Sequence, residues 1–285
     1  MTTFGICVLQ LGAESGSNVD SMIAELDAAA KKYPWLDMFL LGELNAFGGS
    51  KQSAAPMPGP VEDTFRELAA HHGKWLIPGS FLESAGADVY NTAPVISPDG
   101  EVIARYRKQF PWLPYEHSVT PGDDYCVFDI PDIGRFGVSN CYDMWFPETV
   151  RTLAWMGAEV ILHPSLTSTI DRDVEKAMIR AHAAQNQCYF VDCNLAGPLG
   201  VGESCIAGPG GEVIYQAGKG REIIPLKLDM DYLRETRANG WHNLGQPLKS
   251  FRDSTLAFPP YRDGRDSKAL KALGELAMPP RCQGE

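Results

Sequence analysis

Apolar stretches of two lengths alternate through the first third of the chain. Phe4 to Leu11 is an apolar run of strand length, followed by a polar loop from Gly12 to Ser17. From Asn18, a residue suited to cap a helix, Val19, Met22, Ile23, Leu26 and Tyr33 recur at helical spacing until Pro34 ends the pattern. Asp37 to Gly42 contains Met-Phe-Leu-Leu, a second buried strand, with Glu43 just beyond it. A loop rich in Gly, Ser, Ala and Pro runs from Asn45 to Pro60. Pro60 then opens a helix whose face uses Val61, Phe65, Leu68 and Ala69, and Gly73 closes it. Trp75 to Ser80 reads as a third strand.

From Asp88 the rhythm is that of a hairpin: Val89 to Ile96, the turn Pro98-Asp99-Gly100, then Val102 to Arg107, with Lys108 at the end. Pro111 to Pro121 carries three prolines and is loop. Arg135 to Ser139 reads as a short buried strand. Pro147 starts a helix whose apolar face is Val150, Leu153, Ala154 and Trp155, and Gly157 suits its C-terminal cap. Cys141 thereby falls at the carboxyl end of a strand, where α/β sheets place their ligands. Glu159 to His163 is strand, and Asp171 to Gln187 is helix with Val174, Ala177, Met178, Ala181 and Ala184 as its apolar face. Cys188 to Cys193 is strand again, and Glu203 to Ala207, Val213 to Tyr215 and Glu222 to Leu228 read as a meander. Glu-Val-Ile follows both hairpin turns, at 101–103 and 212–214, with no longer period behind it. Beyond Gly240 the chain is irregular, with a weak helix at Ser267 to Ala277. Alternating β and α segments argue for α/β layers, and the hairpins make the sheet mixed. No linker divides the chain, so residues 1–262 are expected as one domain, and 263–285 as a tail that is disordered or held at a subunit interface.

Composition adds exclusions. Hydrophobic content of 44% and charged content of 21% are ordinary for a globular chain, and 285 residues can bury a core without staples. A net charge of −11 argues against a nucleic-acid or anionic-membrane surface. The seven cysteines (7, 126, 141, 188, 193, 205 and 282) are odd in number and widely spread, without a C-x-x-C pair. That pattern suits a reducing compartment rather than a disulfide framework or a structural zinc. With no charged and apolar leader and no membrane-length apolar run, a cytoplasmic protein is expected.

A free thiol is mostly protonated at neutral pH, so a nucleophilic Cys141 needs a base or a cation beside it. Glu43 and Lys108 share its placement beyond a strand end. Glu43 could take the thiol proton, and Lys108, with the backbone N–H of Tyr142, could stabilise an oxyanion. Each residue alone has a plainer reading. A free cysteine is ordinarily core, a glutamate after a strand is ordinarily solvated or a cap, and Lys108 after Arg105 and Arg107 extends a basic edge.

Taken together, Glu43 in Leu-Leu-Gly-Glu-Leu, Lys108 in Tyr-Arg-Lys and Cys141 in Ser-Asn-Cys-Tyr-Asp match, in order and context, a family pattern. The chain resembles the nitrilase superfamily of carbon–nitrogen hydrolases from about Phe4 to Phe251. The segment from Lys108 to Glu116 is similar to the aliphatic amidase and formamidase branch, whereas Tyr142 to Phe146 looks nearer to carbamoyl-amide hydrolases. The resemblance implies a four-layer αββα sandwich that assembles as a homodimer or larger homo-oligomer. It also implies a Glu43–Lys108–Cys141 triad acting through a thioester, with Glu116 holding substrate or Lys108 in place. No cofactor or metal is implied. The substrate expected is a small-molecule amide, with carbamoyl compounds and, less well matched, nitriles as alternatives.

Other readings stand beside this one. A Cys–His pair could use His163 or His182, with Asp143 orienting the imidazole. A metal site from Cys188, Cys193 and His182 is disfavoured, because the two cysteines lie an odd number apart on a strand and face opposite sides. A non-catalytic binding protein and an acyltransferase complete the set. Trp112, Tyr115, Trp145 and Phe146 flank the triad in sequence and could wall an apolar pocket or simply pack. His163 and Thr167 are further candidate contacts, Ser168 and Thr169 could touch substrate or cap the next helix, and Arg172 could meet a substrate carboxylate or lie in solvent.

Overall fold

The computed structural model describes residues 1–14, 16–262 and 267–278. In chain order the first half comprises β1 (Thr3–Gln10), α1 (Val19–Lys32), β2 (Met38–Leu41), α2 (Pro60–His72), β3 (Trp75–Ile77), β4 (Phe81–Ala85), β5 (Asp88–Ile96) and β6 (Val102–Arg107). The second half comprises β7 (Cys126–Ile130), β8 (Gly134–Val138), α3 (Pro147–Trp155), β9 (Val160–Ser165), α4 (Arg172–Asn186) and β10 (Tyr189–Asn194). It continues with β11 (Cys205–Ala207), β12 (Val213–Gln216), β13 (Glu222–Asp229) and α5 (Met230–Asn239), then the short helices α6 (Pro247–Asp253), α7 (Pro259–Arg262) and α8 (Lys268–Lys271).

Two mixed sheets result. One runs β13-β1-β2-β3-β5-β4 with β6 also on β5; the other runs β12-β11-β10-β9-β8-β7. Strands β1, β2 and β3 are parallel, as are β8, β9 and β10. Strand β1 shows how the layers form. Phe4, Ile6 and Val8 face the second sheet, meeting Phe136, Val160 and Val191, whereas Cys7 and Leu9 face Met22 and Leu26 of α1. On the far side, Ile161 and Phe190 pack under Leu153 of α3 and Ile179 of α4. Helices, sheet, sheet, helices: this is the four-layer αββα sandwich. Because both faces of its central strands are buried, those strands read as unbroken apolar runs rather than as alternating ones.

Several expectations need correction. The strand expected at Trp75–Ser80 stops at Ile77, and the chain then turns into β4, which pairs antiparallel with β5. Gly79 makes the turn at φ +84°, and a Cβ there would lie 1.9 Å from the carbonyl oxygen of Gly42. The meander divides between sheets: β11 pairs with β12, but β13 crosses over to pair with the whole of β1. Neither β7 nor α5 was expected; Asp229 caps α5 by accepting from the Tyr232 N–H at 3.0 Å. Asn18 stands at the N-cap of α1, but its side-chain oxygen accepts from the Glu14 N–H instead. Of the weak helix expected at Ser267–Ala277 only Lys268–Lys271 is helical, and residues 263–266 and 279–285 of the expected tail lie outside the described residues.

The largest correction concerns α4. Its buried residues are Arg172, Glu175, Ile179, His182, Ala183 and Asn186, whereas Val174 is exposed. The inward face is therefore rotated from the one the apolar pattern selects, and charged residues occupy it.

Candidate active site

The carboxyl ends of β2, β6 and β8 bring three side chains to one cavity. Strand β8 is followed by a single 3₁₀ turn, Cys141–Trp145, before Pro147 starts α3. Cys141 opens that turn at φ +51°, a left-handed conformation unusual for a residue with a side chain. Asp143 holds the turn closed. Its carboxylate accepts from the Asn140 N–H at 2.8 Å, the Phe110 N–H at 2.9 Å and the Tyr106 hydroxyl at 2.6 Å. Tyr106 and Phe110 flank Lys108, so the turn and the end of β6 are fastened together.

A continuous polar chain joins the remaining groups. Asn140 donates to Asn91 at 3.2 Å, Asn91 donates to Glu43 Oε1 at 2.8 Å, and Lys108 Nζ donates to the same oxygen at 2.8 Å. Lys108 also reaches Glu116 Oε2 at 2.9 Å, which in turn accepts from the Trp112 N–H at 2.5 Å. Glu43 and Cys141 stand close enough for each to shift the other's protonation. Glu43 and Lys108 are buried, and burying an ion pair is tolerable only when further hydrogen bonds satisfy both members, as they do here.

Burial sets the protonation states. It pushes the Cys141 thiol well above its ordinary value, and the charge of Glu43 adds to this while Lys108 opposes it. The resting sulfur is therefore a thiol, not a preformed thiolate. Burial also raises the Glu43 carboxyl; Lys108 counters it and Glu116 reinforces it. A carboxylate of raised basicity beside a neutral thiol can serve as a general base for it. For Lys108, burial alone would lower the value, but the carboxylates of Glu43 and Glu116 counter it and the ammonium stays charged.

These groups open on a cavity of about 300 Å³. Its walls include Trp112, Tyr115, Tyr142 and Trp145, with Trp112 and Tyr115 stacked at 4.3 Å between ring centroids. Thr167, Ser168 and Thr169, from the loop after β9, line it as well.

A family model described as carbon-nitrogen hydrolase matches residues 11–238. The chain belongs to that family. Among curated relatives of this hydrolase, a formamidase of Bacillus cereus (strain B4264) is 29% identical over 85% of this chain and 78% of its own. The omega-amidase NIT2-B of Xenopus laevis is 31% identical over 65% of this chain and 72% of its own. Among solved structures, Saccharomyces cerevisiae Nit3, of the nitrilase superfamily, superposes with a TM-score of 0.76 at 26% identity, covering 83% of this chain and 94% of its own. A glutamate-to-glutamine variant of an amidase from Nesterenkonia sp. AN1 does so with a TM-score of 0.74 at 25% identity, covering 83% and 95%. That variant carries a covalent acetamide group on its active-site cysteine.

Other expected contacts of the hydrolase fall elsewhere. Phe146 is not on the cavity wall; it stacks on Phe110 at 3.6 Å behind the turn. His163 is fully buried, paired with Ser139 Oγ at 2.7 Å, and burial lowers its pKa to about 3. His182 is spent on the Met144 carbonyl at 2.7 Å. Asp143 fastens backbone and orients no imidazole, so a Cys–His pair has no geometric basis among the described residues. Cys188 and Cys193 lie in different core clusters, on opposite faces of the sheet. Arg172 neither meets solvent nor lines the cavity; it pairs with Asp192 and, at 3.2 Å, with Glu175. Two contributors were not anticipated, Asn91 and Glu175. Asn91 sits inside an expected strand, and only its bonds to Glu43 beyond β2 and to Asn140 before the Cys141 turn give it a role. Glu175 could have been suspected from its i,i+3 spacing to Arg172.

No helix among the described residues is long and apolar enough to cross a membrane.

Proposed function

We propose that this hydrolase is an amidase that converts a small-molecule amide to its carboxylic acid and ammonia through a thioester on Cys141. The observation that carries the reading is the convergence of Glu43, Lys108 and Cys141 on one cavity, with Lys108 bonded to Glu43.

Glu43 takes the thiol proton as sulfur attacks the amide carbonyl. The resulting oxyanion is held by Lys108 Nζ and the Tyr142 N–H. Glu43 returns the proton to the nitrogen as the C–N bond breaks, and ammonia leaves. Water then enters, gives a proton to Glu43 and attacks the thioester; the acid departs and the proton returns to sulfur. Glu116 stays out of proton transfer, holding Lys108 at the spacing the oxyanion needs.

The test is mass spectrometry of the protein quenched during turnover of acetamide, beside an assay for released ammonia. An acyl group mapped to Cys141 together with ammonia supports the reading. Ammonia without an adduct on Cys141, in a protein that keeps its activity as Cys141→Ala, overturns the nucleophile. Residues 1–262 form the hydrolase domain in this reading, and the protein self-associates in the cytoplasm. A monomer by sedimentation at micromolar concentration would remove the self-association.

A further inference from the structure

The charges around the cavity are unbalanced. Its lining includes four carboxylates, Glu43, Glu116, Asp171 and Glu175, against one ammonium, Lys108, which is already bonded to two of them. The guanidinium that could have received a substrate carboxylate, Arg172, lies behind Glu175 and is shared with the buried Asp192. Two buried carboxylates facing one guanidinium leave a net charge of about −1 at the cavity wall, which is costly away from water.

Resting on the amidase reading, we propose that the cavity selects amides with an ammonium group distant from the scissile carbonyl, and that Glu175 sets this preference. Glu175 Oε1 accepts from Thr167 Oγ1 at 3.0 Å and Trp145 Nε1 at 3.5 Å, and Oε2 accepts from Arg172 at 3.2 Å. A carboxylate offers about four acceptor positions, so one is left for a substrate N–H. Burial raises the Glu175 carboxyl in spite of Arg172, and a cation in the cavity would counter that. The aromatic faces of Trp112, Tyr115 and Trp145 add a second attraction for positive charge. A substrate carboxylate would meet Glu175 and Asp171 and find no uncommitted cation among the lining residues.

Three amides of one length separate the charges: 5-aminopentanamide, pentanamide and the monoamide of glutaric acid, assayed for ammonia release by the full chain near neutral pH. The expected order of kcat/KM is amine, then neutral, then acid, with steps on the order of tenfold that shrink as salt is raised. Glu175→Gln should cut the amine-to-neutral ratio by about tenfold, mainly through KM for the amine. Asp171→Asn, at a half-buried position, should cut it by a smaller factor and guards against a folding defect in the first variant. Rates equal within about threefold, preference for the acid, or a ratio unmoved by either substitution would overturn the charge inference while leaving the amidase reading in place. No ammonia and no acylated Cys141 with any of the three would overturn both.

Discussion

Helices α1 and α4 occupy equivalent places, each covering the outer face of one sheet, yet α1 buries hydrocarbon alone and α4 buries charge beside hydrocarbon. Helix α1 turns Met22, Leu26 and Ala29 inward, as its apolar spacing requires. Helix α4 turns Arg172, Glu175 and His182 inward and leaves Val174 in solvent. The first is held by hydrocarbon burial, which is non-directional and tolerant. The second adds to its Ile179 and Ala183 an ion network in which every member depends on its partners, and that network stands against the cavity. What the difference teaches is that apolar periodicity finds a helix face only where burial of hydrocarbon chose it. Beside a site, paired charges can choose the face instead.

The comparison can be broken from either side. The largest expected effect is on chemistry: Cys141→Ala should lower kcat by about 10⁴-fold or more, with thermal unfolding little changed, because the sulfur contributes a bond and not a layer. A residual rate within tenfold of the parent would end the triad reading. The acid limb of kcat/KM should have its midpoint above the ordinary glutamate value of 4.5, since Glu43 must be ionised to act and burial raises it.

Next come two truncations that set the helices side by side. Arg172→Met strands Asp192 and Glu175 as unpaired buried charges and should cost about 3–5 kcal/mol in denaturant unfolding. Leu26→Ala on α1 leaves a cavity and should cost about 2–4 kcal/mol. The decisive reading is rescue. Adding Asp192→Leu to Arg172→Met should recover part of the loss, whereas no second charge change should rescue Leu26→Ala. If neither Arg172 variant changes stability, the network does not hold α4.

A pH titration of stability sharpens the contrast further. His163 falls from 6.5 to about 3 on folding, so the unfolded chain takes up its proton first. Its contribution is present above pH 6.5 and is lost as pH falls toward 3, on the order of a few kcal/mol. Asp143 runs the other way: raised from 3.8 to about 6, it favours the folded state as pH falls through that window. His163→Asn should therefore flatten the acid side of the stability curve, and an unchanged slope between pH 6.5 and 3 would contradict the burial assigned to it. The smallest effect is expected at Asn18→Ala. A helix cap of that type is typically worth about 1 kcal/mol, but here the side chain bonds to Glu14 and not into the helix, so the cost should stay below about 0.5 kcal/mol.

Much of the site was legible in the residues. Glu43, Lys108 and Cys141 each follow a strand, and strand ends are where the chain leaves the sheet with side chains free to converge. Trp112, Tyr115 and Trp145 could be picked out because they lie within a few residues of those ends, and Thr167 because it follows the His163 strand. Phe146 could not be told from Trp145, since one step along a tight turn reverses a side chain's direction. Arg172 misled and Glu175 passed unnoticed because a charged residue on a helix is normally solvated, and only a partner on β10, Asp192, makes the inward position of Arg172 stable.

The sequence by itself determined the local elements that hydrocarbon burial dictates, the order in which base, ammonium and thiol arrive, and the family to which they belong. It did so because those signals are local: spacing, capping residues and short motifs. Only the tertiary structure decided that β13 leaves its hairpin neighbours to pair with β1, that Asn91 bridges Glu43 to the Cys141 turn, and that α4 presents charge to the cavity. Each of these depends on a partner far away in the chain, and the free energy of a buried polar group is set by that partner and not by its neighbours in sequence.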